Sequence, residues 1–147
     1  MMKKILTLSS FFILHSSLSA AVPDLTATVN HMIDGDTFAA AISLENGAEV
    51  SASVRLMNID APELHGECEL ETEMANKSKA RLGELIPVGT KVILSKIKDD
   101  KYLGRVDAFV RDASGRDIGR IMIDENMAVA YGGGRRGSWC GAKGEKK

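Results

Sequence analysis

From Val50 to Met57 the chain alternates without a break: Val50, Ala52, Val54 and Leu56 face one way, and Ser51, Ser53, Arg55 and Met57 the other. Period-two patterning of this kind describes a strand with one face against a core, and it directs Arg55 away from that core. The strand cannot run on, because Asp60-Ala61-Pro62-Glu63 follows and proline lacks the N–H that a central ladder requires. Two further strands are expected upstream. Leu25 to Val29 is β-prone, and Thr37 to Leu44 is entered through Asp34-Gly35-Asp36 and left at the hairpin signal Asn46-Gly47. Strands resume at Lys91 to Ile97 and Arg105 to Arg111, with Ser114-Gly115 as another turn.

Between these two groups lies Glu69 to Ile86, free of proline and holding only Gly83, which is expected to be a helix with Leu70, Met74, Leu82 and Leu85 as a loose apolar stripe. Glu67, Glu69, Glu71 and Glu73 crowd its start, where the helix dipole favours anions, and Pro87-Val88-Gly89 ends it. A second helix fits Ile118 to Glu125, with Asn126 as a left-handed C-terminal cap. Three strands, a helix, two strands and a helix follow the order of a small Greek-key barrel of the oligonucleotide/oligosaccharide-binding (OB) type. The expected fold class is therefore α+β, mainly β: a five-stranded OB-fold barrel with a helix after strand 3 and a second helix near the C-terminus.

Composition agrees and excludes several alternatives. The 147 residues suffice for one domain, and 44% hydrophobic with 27% charged residues is a globular balance. No apolar run reaches the roughly 18 residues of a bilayer span. A net charge of −1 means that any nucleic-acid role must rest on locally placed cations, and 5% aromatic residues argue against an extended base-stacking platform. Two cysteines are too few for a disulfide-built scaffold or a four-thiolate zinc site.

The first residues read as an export signal. Lys3 and Lys4 precede an apolar stretch from Ile5 to Leu14, and small residues, Ser19-Ala20-Ala21, stand before Val22. The expected organisation is a signal peptide at 1–21, an OB-fold domain at 22–134 and a basic, Gly-rich tail at 135–147. Removing the signal takes nineteen basic residues to seventeen against twenty acidic ones, a formal charge of −3. A periplasmic or secreted location follows, with no membrane anchor in the mature form. An oxidising compartment favours a Cys68–Cys140 disulfide, with two free thiols as the alternative.

Three segments carry chemistry. Ile33-Asp34-Gly35-Asp36-Thr37 puts two carboxylates around a glycine, which can hold a hard cation through oxygen but also suits an ordinary turn. Arg55-Leu56 followed by Asp60-Ala61-Pro62-Glu63 sets an outward guanidinium, a fork for phosphate oxygens, beside two carboxylates on a stiffened turn. Asp100-Lys101-Tyr102-Leu103-Gly104-Arg105 places a second arginine at the start of a strand. Each alone also fits a surface salt bridge or a charged hairpin. His65 and Cys68 have a metal-like spacing, but one such pair cannot close a zinc site. Arg135-Arg136 and Trp139 read as a solvated tail and a packing residue, with phosphate contact and base stacking as the alternatives.

In combination these segments resemble the staphylococcal nuclease (thermonuclease) family over roughly Val22 to Tyr131, where the Ile118 to Tyr131 helix with its Ala-Val-Ala-Tyr ending matches as well. The resemblance implies an OB-fold enzyme that hydrolyses phosphodiester bonds in DNA and RNA with calcium, leaving 3′-phosphate ends. It implies Asp36 and Asp60 as metal ligands, Ala61 contributing its backbone carbonyl, and Arg55, Glu63 and Arg105 as catalytic residues. A monomer is expected. The alternative is a non-catalytic OB-fold module that holds nucleic acid without cutting it, but such a module is expected to lack one of the five side chains, and all five are present. Two departures from the family pattern stand out. Leu103 lengthens the loop before Arg105, and Gly132 to Lys147 replaces a terminal helix.

Overall fold

A computed structural model describes residues 22–141; the signal-peptide reading and the last residues of the tail lie outside the described residues. The alternating segments form β1 (Leu25–Met32), β2 (Thr37–Ser43) and β3 (Glu49–Leu56). After the two-residue strand β4 (Ile59–Asp60) come α1 (Glu69–Leu85), β5 (Lys91–Asp99), β6 (Arg105–Arg111), α2 (Ile118–Asp124) and the short β7 (Val129–Ala130). The five long strands close into a barrel in the order β1-β2-β3-β6-β5, with β5 returning to β1. All neighbours are antiparallel except β3 and β6. This is the expected OB-type architecture, mainly β, with a helix after the third barrel strand and another near the C-terminus.

Alternation in β3 holds as read, with Val54 and Leu56 buried and Arg55 directed outward, although Val50 is exposed at the strand's free end. Phe38, Val54, Leu56, Leu94 and Val110 fill the barrel, and Leu82, Leu85 and Ile86 from α1 with Ile118 and Met122 from α2 belong to the same core. The buried side of α1 is Glu71, Ala75, Ser78, Leu82 and Leu85, not the expected Leu70–Met74 line, and Leu70 is exposed. The spacing is helical, but two of the five positions are polar, and this hides the stripe from a hydrophobicity reading. Ser78 is satisfied there by donating its hydroxyl to the Met127 carbonyl at 2.6 Å.

The second helix ends as expected, with Glu125 at its C-cap and Asn126 in the left-handed region at φ 58°. It does not continue to Tyr131, as the family resemblance suggested. Val129 and Ala130 turn extended and pair with Asp60 and Ile59 as a two-stranded sheet. Tyr131 N then donates to the Asn58 carbonyl at 2.9 Å, fixing the start of the following segment. That segment is exposed from Gly132 to Ser138 but tethered, since Cys140 is joined to Cys68 by a disulfide with Cα atoms 5.9 Å apart. Closing 72 residues of chain removes freedom from the denatured state worth on the order of 4 kcal/mol in the chain-entropy account.

Candidate active site

The register of β2 on β3 pairs Thr37 with Arg55, which brings Asp36, one residue before the strand, to the end of β3. Arg55 Nη2 lies 3.5 Å from Asp36 Oδ2, 3.8 Å from Asp60 Oδ1 and donates to the Ile59 carbonyl at 3.3 Å. Asn58, at φ 64°, reverses the chain between β3 and β4, and the Ala61 N–H then reaches Asp36 Oδ2 at 3.1 Å. Asp36 Oδ1 accepts from the Thr37 hydroxyl at 2.8 Å. Gly35 permits this convergence by its size. A Cβ there would meet Ser78 Cβ at 2.6 Å and Ala61 Cβ at 2.9 Å. The Asp34-Gly35-Asp36 loop thus lies flat between α1 and the Ala61 turn.

The parallel pairing of β3 with β6 sets Arg105 opposite Ser53 and Asp107 opposite Arg55, so both arginines open onto one cleft of about 480 Å³. Leu103 is taken up in the loop before Arg105. The added residue is fully exposed, Gly104 takes φ 77°, and the strand register resumes at Arg105. Arg105 Nε donates to Asp100 Oδ2 at 2.6 Å, and its guanidinium lies over the Tyr102 ring, 4.3 Å from the centroid. This clamp orients the fork while leaving its other nitrogens free of Asp100. The bond from Arg105 holds the Asp100 carboxyl below the usual range, whereas burial and then the Asp100 charge push Asp107 up.

Burial dominates at Asp36, and with the nearby Asp34 charge it outweighs Arg55, so the carboxyl is raised from 3.8 to about 6. Asp60 is almost completely buried, and among the described residues its Oδ1 has no aligned hydrogen-bond donor. The buried Asp36 carboxylate, an Asp60 Oδ1 that meets arginines as ion pairs without an aligned hydrogen bond, and the neighbouring Ala61 carbonyl are a hard-oxygen set that fits a calcium ion, which takes six to eight oxygens. No three acidic, histidine or cysteine side chains converge as a ready metal cluster among the described residues. Asp36, Asp60 and the Ala61 carbonyl would therefore supply part of the shell, and solvent or ligand oxygens the remainder.

Four residues contribute beyond the expected site set. Glu71, buried on α1, accepts from the backbone N–H groups of Glu63 at 3.2 Å and Glu67 at 2.9 Å, and so holds the loop that carries Glu63. Gly66 lies against the Glu71 side chain, where a Cβ would fall 2.6 Å from Cγ. Asp107 adds a half-buried carboxylate between the arginines. Arg136 reaches the acidic turn from the far end of the chain, with Nη2 2.6 Å from Asp60 Oδ1 and 3.1 Å from the Ala61 carbonyl, and with Nη1 bonded to Glu63 Oε1. A signal for Arg136 existed in the two cysteines, since Cys68 lies five residues after Glu63 and Cys140 four after Arg136. His65 is exposed, Cys68 is disulfide-bonded, and Trp139 lies beside Glu67 and Glu71, away from any zinc-like cluster.

The fold and cleft define an OB-type barrel that presents guanidinium groups beside a buried, carboxylate-bearing turn. Residues 53–138 match the family model for staphylococcal nuclease homologues. The chain belongs to that nuclease family. Comparison with the curated proteins gives no match. No helix among the described residues is long and apolar enough to cross a membrane.

Proposed function

We propose that this protein is an exported, calcium-dependent nuclease that hydrolyses phosphodiester bonds of DNA and RNA. The observation that carries the reading is the cleft in which Arg55 and Arg105, from adjacent parallel strands, face Asp36 and Glu63, with the buried Asp60 Oδ1 3.8 Å from Arg55 Nη2. Calcium bound by Asp36, Asp60 and the Ala61 carbonyl would polarise a phosphoryl oxygen as a Lewis acid. The protein's own part is positioning and charge stabilisation. Arg55 and Arg105 offer N–H donors to the phosphoryl oxygens, whose negative charge grows as water attacks, and the Asp100–Tyr102 clamp limits the reorganisation Arg105 must undergo. Glu63, exposed at the cleft edge, accepts the proton of the attacking water. Water oxygen bonds to phosphorus, the bond to the 5′-oxygen breaks, that oxygen takes a proton, and a 3′-phosphate end remains.

The signal-like residues 1–21 and the disulfide support action outside the cytoplasm, in the periplasm or surroundings. The test is turnover of single-stranded DNA by folded variants. Glu63→Gln and Arg105→Ala are each expected to lower turnover by roughly two orders of magnitude, the scale for a positioned charged group. Full activity of Arg105→Ala would remove that residue from the mechanism.

A further inference from the structure

The segment from Tyr131 to Cys140 is a strap tied at both ends. At one end Tyr131 N bonds the Asn58 carbonyl and the Tyr131 hydroxyl donates to the Gly134 carbonyl at 2.7 Å. At the other, Cys140 is bonded to Cys68, the N-cap residue of α1. Gly133 and Gly134 take positive φ values of 102° and 85°, which turns the strap back over the acidic loop. Arg136 sits in its middle, and its guanidinium engages Asp60 Oδ1, the Ala61 carbonyl and Glu63 Oε1. The first two are proposed cation ligands and the third belongs to the proposed proton acceptor.

We propose that Arg136 is a built-in competitor for the divalent cation, covering its oxygen donors and restraining Glu63 until the metal displaces it. The proposal rests on the calcium reading given above. A calcium ion sits about 2.3–2.6 Å from its oxygens, and Arg136 Nη2 already stands 2.6 Å from Asp60 Oδ1. A guanidinium on that oxygen and the Ala61 carbonyl at these distances takes donor directions a calcium ion would use and repels it as a like charge, so binding of one disfavours the other. Departure of Arg136 also frees Glu63, which couples metal binding to release of the group that handles the attacking water. The strap supplies the competitor at high effective concentration, because short tethers on both sides confine the guanidinium. The disulfide is one of those tethers, so cleaving it weakens the competitor. Linkage makes the effect reciprocal: what loosens Arg136 tightens the metal.

The experiment is calorimetric titration of calcium chloride into chelator-washed protein, without nucleic acid. Wild type is measured oxidised and reduced, beside Arg136→Ala and Arg136→Gln, with thermal melts to establish that each form is folded. If the closed strap is populated about nine to one, removing the guanidinium tightens calcium binding about tenfold. Reduced wild type, which needs no substitution, shifts in the same direction, and reduction leaves Arg136→Ala nearly unchanged. A purely structural role for Arg136 predicts the opposite sign, since a loosened site binds more weakly. Equal or weaker calcium binding by the folded variants, with wild type still binding, overturns the proposal and leaves the calcium reading standing. Absence of calcium binding in every form removes the calcium reading and this proposal together.

Discussion

Asp36 shows most directly how one residue type acquires a role from its surroundings. Aspartate in an Asp-Gly-Asp loop ordinarily stays ionised at the surface, but here it is buried beside Asp34, and its carboxyl is raised from 3.8 to about 6. A carboxyl raised on folding adds stability that is complete below pH 3.8 and is lost as pH rises through about 6, because the ionised form is the one that burial penalises. In calcium-free solution, wild type is therefore expected to lose stability relative to Asp36→Asn between about pH 4 and pH 7, the interval set by those two values. Urea unfolding midpoints measured across that range give the comparison. A constant difference between the two proteins would show that Asp36 is not held in this way. Under the proposed function, excess calcium is expected to reverse the trend, since the cation would bind the ionised carboxylate. Among the arginines the lesson differs. Arg55 was placed by alternation alone, whereas the clamp on Arg105 by Asp100 and Tyr102 depends on how a loop with one added residue closes.

At the level of elements, the barrel strands were legible because alternation and turn residues are local signals, and each long strand begins or ends close to its expected position. The buried stripe of α1 was legible only at Leu82 and Leu85, because Glu71 and Ser78 also occupy core-facing positions, Glu71 satisfied by the N–H groups of the loop just before the helix and Ser78 by the distant Met127 carbonyl. The pairing of β4 with β7 was hidden, since two-residue strands carry no periodicity. The Asp34-Gly35-Asp36 loop joins these elements. It read as a turn or a cation loop, and the structure adds that its glycine is required by close approach of α1 and Ala61. Gly35→Ala is expected to destabilise the fold by about 1–3 kcal/mol, the usual scale for overpacking. The same change should weaken calcium binding by shifting Asp36. Denaturant unfolding tests the first expectation and calcium titration the second. A variant as stable as wild type would mean that α1 yields at Ser78 without cost.

For the whole molecule, the feature that sequence patterning could not supply is the return of the C-terminal strap to the catalytic face. Glycine-rich composition after Tyr131 suggested a solvated tail, and the expected Cys68–Cys140 cross-link, which the structure contains, did not say over which face the tail would be laid. The disulfide brings residues 68 and 140 together, and with them Glu63 and Arg136, so a single long-range bond decides which charges meet. Barrel, helix and strap then serve one cleft, with arginines on the strands, carboxylates on the loops and an opposing guanidinium on the strap. The central claim is that this cleft cleaves phosphodiesters only when a divalent cation completes the oxygen set of Asp36, Asp60 and Ala61. Incubating the oxidised, purified protein with single-stranded DNA, first with calcium and then with excess chelator, tests it most directly. Fragments bearing 3′-phosphates are expected in calcium and none in chelator; undiminished cleavage in chelator, or intact DNA in both, would overturn the proposed function.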